Sequence, residues 1–178
     1  RAAAVLLLTL RGTPFLYAGE ELGLEDAVIP PGSEVDPGGR DGCRAPIPWE
    51  AAPPHGWIGA DPWLPWPPAP DQVNTENRLG DPASILHLYR RLLTERHRSP
   101  ALATGSCTLV EAPDGVLAFE RTADAVDDRR LVLVNFTDDE RDVPAAGRVV
   151  VASDGAGEGA PFRGALGPSG AVVIDPSA

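Results

Sequence analysis

"AAAVLLLTLRGTPFLYAGEELG", residues 2–23, is the stretch on which the fold class turns. Its first part, from Ala2 to Leu10, is built of Ala, Val and Leu with nothing polar before Thr9. Ala and Leu are strong helix formers, so it reads as a buried helix. Arg11-Gly12 ends that helix, and Gly12 suits the left-handed position just past a helix C-terminus. "TPFLY", from Thr13 to Tyr17, then reads as a short strand buried on both faces, as in a parallel sheet. "AGEELG" turns away. A helix feeding directly into a buried strand is an α/β signature. The opening apolar run is too short to span a bilayer, and no Ala-x-Ala cleavage site follows it.

Beyond this stretch the periodicity vanishes. Residues 24–80 are rich in Pro and Gly, and "WLPWPPAP" cannot be helical, because proline lacks the N–H donor and clashes with the preceding turn. Ordinary loops have a median near about five residues, so roughly fifty structureless residues are either disordered or functional. Trp49, Trp57, Trp63 and Trp66 argue against disorder. Asp81-Pro82 then reads as an N-cap followed by proline at the first helical position. Ile85, Leu88, Tyr89, Leu92 and Leu93 form one apolar stripe, and Arg90, Arg91, Arg96 and Arg98 complement the negative end of the helix dipole. Ser99-Pro100 stops this helix. "CTLVEA", "GVLAFER", "RRLVLVNF", "GRVVVAS" and "GAVVIDP" follow as short β-branched runs, which predict a small antiparallel sheet or sandwich.

Composition bounds what such a chain does. The 178 residues make one ordinary domain or two small pieces, and 43% hydrophobic residues can supply a core. A formal net charge of -11 argues against binding a nucleic-acid backbone and suits a neutral ligand. Two cysteines, Cys43 and Cys107, make no disulfide framework, so a reducing, cytoplasmic setting is expected. The sequence holds no methionine and starts at Arg1 without a helix cap. It is therefore expected to be a piece of a longer protein.

The candidates for chemistry are few. Glu20 and Glu21 are neighbours whose side chains leave the backbone in different directions, so they make a poor catalytic pair. One is expected to satisfy the turn's own N–H groups and the other to face the loop. His55, His87 and His97 have neither zinc spacing nor catalytic partners and read as surface or packing residues. No nucleophile elbow or P-loop occurs. "GGRDGCRAPIPW", from Gly38 to Trp49, stands out. Arg40 and Arg44 carry planar donor forks suited to a carboxylate or to vicinal hydroxyls. Arg44 is expected to clamp the loop through Asp36 or Asp41, and Arg40 to contact a ligand.

"LLTLRGTPFLYAGEELGL", "DPGGRDGCRAPIPW", "DPASILHLYRRLLTERHRSPAL", "VLAFER" and "LVLVNF" occur in that order. Together they resemble the C-terminal third of α-glucosidases of the oligo-1,6-glucosidase and maltase type, in the α-amylase superfamily, glycoside hydrolase family 13. The resemblance implies a fold class of α/β plus all-β. Residues 1–100 would be the last helix, strand, loop and helix of a TIM (β/α)8 barrel, and residues 101–178 a small antiparallel β-sandwich domain. "TPFLY" would be the eighth barrel strand and the long loop an active-site wall at the barrel's C-terminal face.

It further implies a retaining hydrolase that releases glucose from the non-reducing end of short α-glucosides in carbohydrate metabolism. The family's catalytic acids follow barrel strands four, five and seven, and this chain has no His-Asp pair for the last of them. No catalytic residue, metal ligand or cofactor is expected within it, and the isolated chain is expected to be inactive. Arg40 is expected to grip the terminal glucose together with an aspartate from sequence upstream of this chain, with Arg44 supporting the loop. Tyr17, Glu20 and Trp49 would shape the aglycone side. Ala45 and Ile47 depart from the usual Arg-Thr-Pro-Met wording. A transglycosylating relative of the trehalose or isomaltulose synthase type is the near alternative. A non-catalytic carbohydrate-binding or scaffold member is the distant one. The partner implied is a small α-glucoside, with neither nucleic acid nor membrane.

Overall fold

The computed structural model describes residues 1–59 and 61–177. By contact the chain groups into two compact units, 1–15 with 88–178, and 16–87. The boundary expected between residues 100 and 101 falls inside the first of these. Among the described residues, no helix is long and apolar enough to cross a membrane.

The first unit is built on a five-stranded antiparallel sheet. Its strands are β1 (Ser106–Leu109), β2 (Val116–Ala123), β3 (Asp128–Asn135), β5 (Arg148–Ala152) and β7 (Ala171–Asp175), in the order β1-β2-β3-β7-β5. All five runs expected as strands form. Two further strands, β4 (Arg141–Asp142) and β6 (Ala165–Leu166), pair as a separate ribbon. Two residues apiece leave no alternation to read, so the sequence gives no sign of them.

Successive strand residues face opposite sides, which divides the sheet's burial in two. Ala118, Leu133, Val172 and Ile174 cluster with Val143 and Leu166, beside the ribbon. The other face carries Phe119, Val132 and Val173, matched in register across β2, β3 and β7 and all fully buried. Helix α1 (Ala2–Thr9) lies on β3 and β7, and helix α4 (Pro100–Thr104) on β2 and β3. Asn135, 1% exposed, ties the end of β3 to β6 by donating to the carbonyls of Leu166 and Gly167 at 3.1 and 2.9 Å.

The C-terminus of α1 is held in an unusual way. A helix end leaves carbonyls without intrahelical donors, and α1 has no basic residue in its last turn. Two arginines from elsewhere in the unit supply the donors. Arg121, on β2 and 0% exposed, donates to the carbonyls of Thr9, of Ser106 at 2.9 Å and of Gly105 at 3.1 Å. Arg96 donates to the carbonyls of Leu8 at 2.8 Å, Leu10 at 3.1 Å and Gly12 at 2.5 Å. Neither makes an ion pair with a carboxylate among the described residues; burial lowers the pKa of both guanidinium groups from the ordinary arginine value. Arg96 therefore does more than complement its own helix dipole. It continues the buried face of helix α3 (Ile85–Arg98) beyond Leu88, Tyr89 and Leu92.

Three local expectations are corrected. Thr13–Tyr17 is not a strand: no described strand pairs with it, and Phe15 is 84% and Tyr17 50% exposed. Apolar, β-prone residues favour a strand only where a neighbour completes the ladder. Asp81 does not cap α3. Its carboxylate accepts from the Ala83 N–H at 2.9 Å within a turn, and the helix starts at Ile85. The chain also holds a helix not foreseen, α2 (Thr75–Gly80), capped by the Asn74 side chain, which accepts from Asn77 N–H at 2.8 Å. Ser99 ends α3 as expected and immediately caps α4, its hydroxyl accepting from Leu102 N–H at 3.2 Å.

The second unit, 16–87, has little regular structure but a packed interior. Trp66 meets His55 edge-on with ring centroids 4.8 Å apart, and Trp57 at 6.1 Å. Trp57 Nε1–H donates to the Ile47 carbonyl at 2.9 Å. His55 is thus a packing residue, as the sequence suggested. Trp49 and Trp63 remain 49% and 70% exposed.

Replacing Arg121 should strip donors from three backbone carbonyls, two of them in fully or largely buried surroundings. Arg121→Ala is expected to cost about 3 kcal/mol or more in urea unfolding. Arg121→Lys, with a single point of donation, should recover only part. An Arg121→Ala chain as stable as the parent would refute this role.

Candidate functional site

The Arg40–Arg44 loop is organised from within by two aspartates. Asp41 is 2% exposed and its carboxylate accepts from the N–H groups of Val35 at 2.7 Å and Asp36 at 3.0 Å. This fixes the backbone of Asp36. The Asp36 carboxylate then accepts from Arg40 Nε at 2.7 Å and Nη2 at 3.2 Å, a side-on bidentate pair. Arg44 Nη1 reaches the same carboxylate at 2.8 Å, and the Gly38 N–H donates to it at 2.9 Å. The clamp expected for Arg44 is present, with Asp36 as its partner. Arg40 shares that clamp while its side chain stays 62% exposed, against 6% for Asp36.

Glycine makes the pairing possible. A Cβ on Gly38 would sit 3.1 Å from Arg40 Nε and 3.2 Å from Asp36 Oδ1, pressing on the ion pair itself. At Gly42 a Cβ would lie 2.9 Å from the Ala27 carbonyl oxygen, where the loop is docked by Ala27 N–H donating to the Gly42 carbonyl at 3.0 Å.

That docking closes one wall of a recess of about 370 Å³. Tyr17 and Glu20 line it, together with Leu24–Asp26 and the short helix Gly42–Arg44 through Gly42 and Cys43. Of the five expected sugar-side residues, the structure brings Tyr17 and Glu20 to this recess. Arg40 and Arg44 lie on the adjoining loop, and Trp49 lies outside the recess lining. Trp49 has a structural duty. Its backbone N–H donates to the His55 carbonyl at 3.0 Å, and its backbone carbonyl accepts from Glu76 N–H at 3.0 Å. Glu20 and Glu21 divide as the sequence suggested: Glu21 accepts from Gly19 N–H at 2.9 Å, and Glu20 faces the recess.

Asp41 is the residue that sequence reasoning undervalued. The sequence offers it only as a partner for Arg44, whereas it accepts from the loop's own backbone. Both cysteines are free, and Cys43 Sγ donates to the Arg40 carbonyl at 3.1 Å. Among the described residues, no group of three or more His, Cys, Asp or Glu could hold a metal ion.

The hydrogen bonds from Arg40 and from Gly38 N–H hold the Asp36 carboxyl well below the usual range, at about 2. A carboxyl whose pKa falls on folding stabilises the fold above its unfolded value, near about 4, and ceases to do so as pH drops through the folded value. The pairing should therefore contribute its full stabilisation from neutral pH to about pH 4, lose it between about pH 4 and 2, and itself break as pH falls through about 2. Carbon-detected NMR titration of the Asp36 carboxyl checks this, and a midpoint near the ordinary aspartate value would contradict it.

Several known proteins are similar to this chain in sequence or in structure. A probable alpha-glucosidase of Rhizobium meliloti (strain 1021) is 43% identical over 128 residues, 67% of this chain and 23% of that protein. A glucan 1,6-alpha-glucosidase of Streptococcus pneumoniae is 27% identical over 175 residues, 84% of this chain and 32% of that protein. The trehalulose synthase MutB from Pseudomonas mesoacidophila MX-45 superposes with a TM-score of 0.81 at 26% identity, over 98% of this chain and 37% of the synthase. The chain thus spans about a quarter to a third of the curated relatives it matches. The family model described as alpha amylase, catalytic domain, matches residues 1–105. This chain belongs to the alpha-amylase catalytic-domain family.

Proposed function

We propose that this chain forms the C-terminal part of a retaining α-glycoside hydrolase that releases glucose from the non-reducing end of short α-glucosides. In this reading residues 1–100 complete a (β/α)8 barrel and residues 101–178 form its C-terminal β-sandwich domain. Thr13–Tyr17 becomes the eighth barrel strand when strands supplied by other sequence flank it. The exposed apolar side chains of Phe15 and Leu16 support that role, since a barrel strand is buried on both faces.

The observation that carries the reading is the Arg40 loop. An arginine already oriented by a carboxylate sits on the same loop that supplies Gly42 and Cys43 to a recess lined by Tyr17 and Glu20. A barrel builds its sites from loops of this kind. Retaining chemistry needs two carboxyl groups about 5 Å apart, one to attack the anomeric carbon and one to protonate the leaving oxygen. Glu20 and Glu21 do not form such a pair. Glu21 is occupied by the Gly19 N–H. We place the catalytic acids in sequence outside this chain. The proposed contribution of this chain is binding: Arg40 donates to hydroxyls of the terminal glucose, Arg44 braces the loop, and Tyr17, Glu20 and Trp49 border the leaving group. The proposed setting is cytoplasmic and the proposed partner a small α-glucoside.

A second reading, a transglycosylating enzyme, is favoured by the likeness to the trehalulose synthase. Both readings share a covalent glycosyl intermediate and differ in whether water or a sugar hydroxyl resolves it.

The full-length gene product is expected to release p-nitrophenol from p-nitrophenyl α-glucoside, and the 178-residue chain alone is expected to give none. A full-length protein without turnover on any α-glucoside would overturn the proposal. On sucrose, glucose plus fructose would indicate hydrolysis and an isomeric disaccharide would indicate transfer.

A further inference from the structure

The loop contains a second element of recognition besides Arg40. A guanidinium has five N–H donors in one plane. Asp36 takes two of them, the Nε–H and one on Nη2. The remaining three, both on Nη1 and the outer one on Nη2, make no protein hydrogen bond among the described residues. Two of them, one on each Nη, form the end-on edge of the fork, and the third, on Nη1, points back along the side chain. A side-on pairing leaves that edge facing away from the carboxylate, and it fixes the plane in which the edge lies.

We propose that Asp36 is a positioning residue that aims the Nη1–Nη2 edge of Arg40 at a pair of adjacent hydroxyls on the terminal sugar. The inference rests on the reading of this loop as sugar-binding and deepens it. Four features of the geometry support it. The Asp36 side chain is 6% exposed, so it is a fixed anchor rather than a competitor for the ligand. Its backbone is held in turn by Asp41. Arg44 takes the same Asp36 oxygen as Arg40 Nε, which restrains the carboxylate from rotating away. Gly38 leaves the space the pair occupies, since a Cβ there would approach both partners. A long, exposed arginine otherwise samples many rotamers, and ordering it only at binding costs affinity. Asp36 removes that cost before the sugar arrives.

The roles separate cleanly. Arg40 touches the sugar; Asp36 acts only through Arg40. The test uses the full-length gene product and p-nitrophenyl α-glucoside as substrate. Asp36→Asn keeps the shape and removes the charge that holds the fork. It is expected to raise KM by about tenfold while kcat changes by less than about threefold. In an Arg40→Ala background the same change should have little further effect, because nothing is left to aim. Gly38→Ala keeps both charges and crowds the pair, and should raise KM by a smaller factor. It serves as the independent variant where Asp36→Asn fails to fold. A purely structural role predicts something different: a lower kcat from fewer competent molecules, with KM unmoved and the same loss with or without Arg40. That pattern, in a wild-type enzyme that cleaves the substrate, would overturn the inference and leave the proposed function standing. A wild-type enzyme that cleaves no α-glucoside overturns both.

Discussion

Backbone carbonyls at the end of one short helix impose the constraint on which the first unit depends. Helix α1 is apolar along its length and ends without a basic residue to serve its last carbonyls. Arg96 and Arg121 reach them from α3 and β2, and both cations are buried without a carboxylate partner among the described residues. Burying a charge is costly unless hydrogen bonds compensate it. Here each guanidinium spends its fork on several carbonyls at once, a match no other side chain can make. The same contacts join residues far apart in the chain: the first helix, the first strand of the sheet and the last turn of α3. The N-terminal segment is therefore part of the unit that carries the sheet.

The loop from Asp36 to Arg44 uses the same side-chain chemistry for a different end. There the forks meet a carboxylate near the surface, and part of the Arg40 fork is left over. Inside the first unit, Arg96 and Arg121 satisfy the backbone and are consumed. On the loop, arginine is held and still available. Exposure separates the two uses: 0% for Arg121 as against 62% for the Arg40 side chain. A planar cation with spare donors, fixed in direction, suits a neutral polyhydroxylated ligand, consistent with the acidic overall charge of the chain.

The sequence made the regular parts legible where periodicity was strong. The five strands announced themselves as β-branched runs between turns, and the α3 stripe followed the helical repeat. Helix ends were harder, because Asp81 and Asn74 are both good capping residues and only one of them caps a helix. Thr13–Tyr17 misled for a deeper reason: strand formation belongs to the pair, and composition describes one member. Arg96 and Arg121 gave no sign of burial, since charged residues on a helix or strand ordinarily face water. At the candidate site, the double arginine and its glycines were visible as a pattern. The Asp36 clamp was visible as one of two options for Arg44. That a single carboxylate holds both arginines depends on loop geometry set by Asp41, which no spacing rule encodes.

Under the proposed role, Arg40 binds sugar while Asp36 still holds it. A crystal structure of the full-length gene product with glucose bound is the direct measurement. Arg40 Nη atoms are expected within about 3.2 Å of two adjacent glucose hydroxyls, with the Nε–Asp36 pairing intact. Glucose bound elsewhere, or an Arg40 that leaves Asp36 to reach it, would contradict the account.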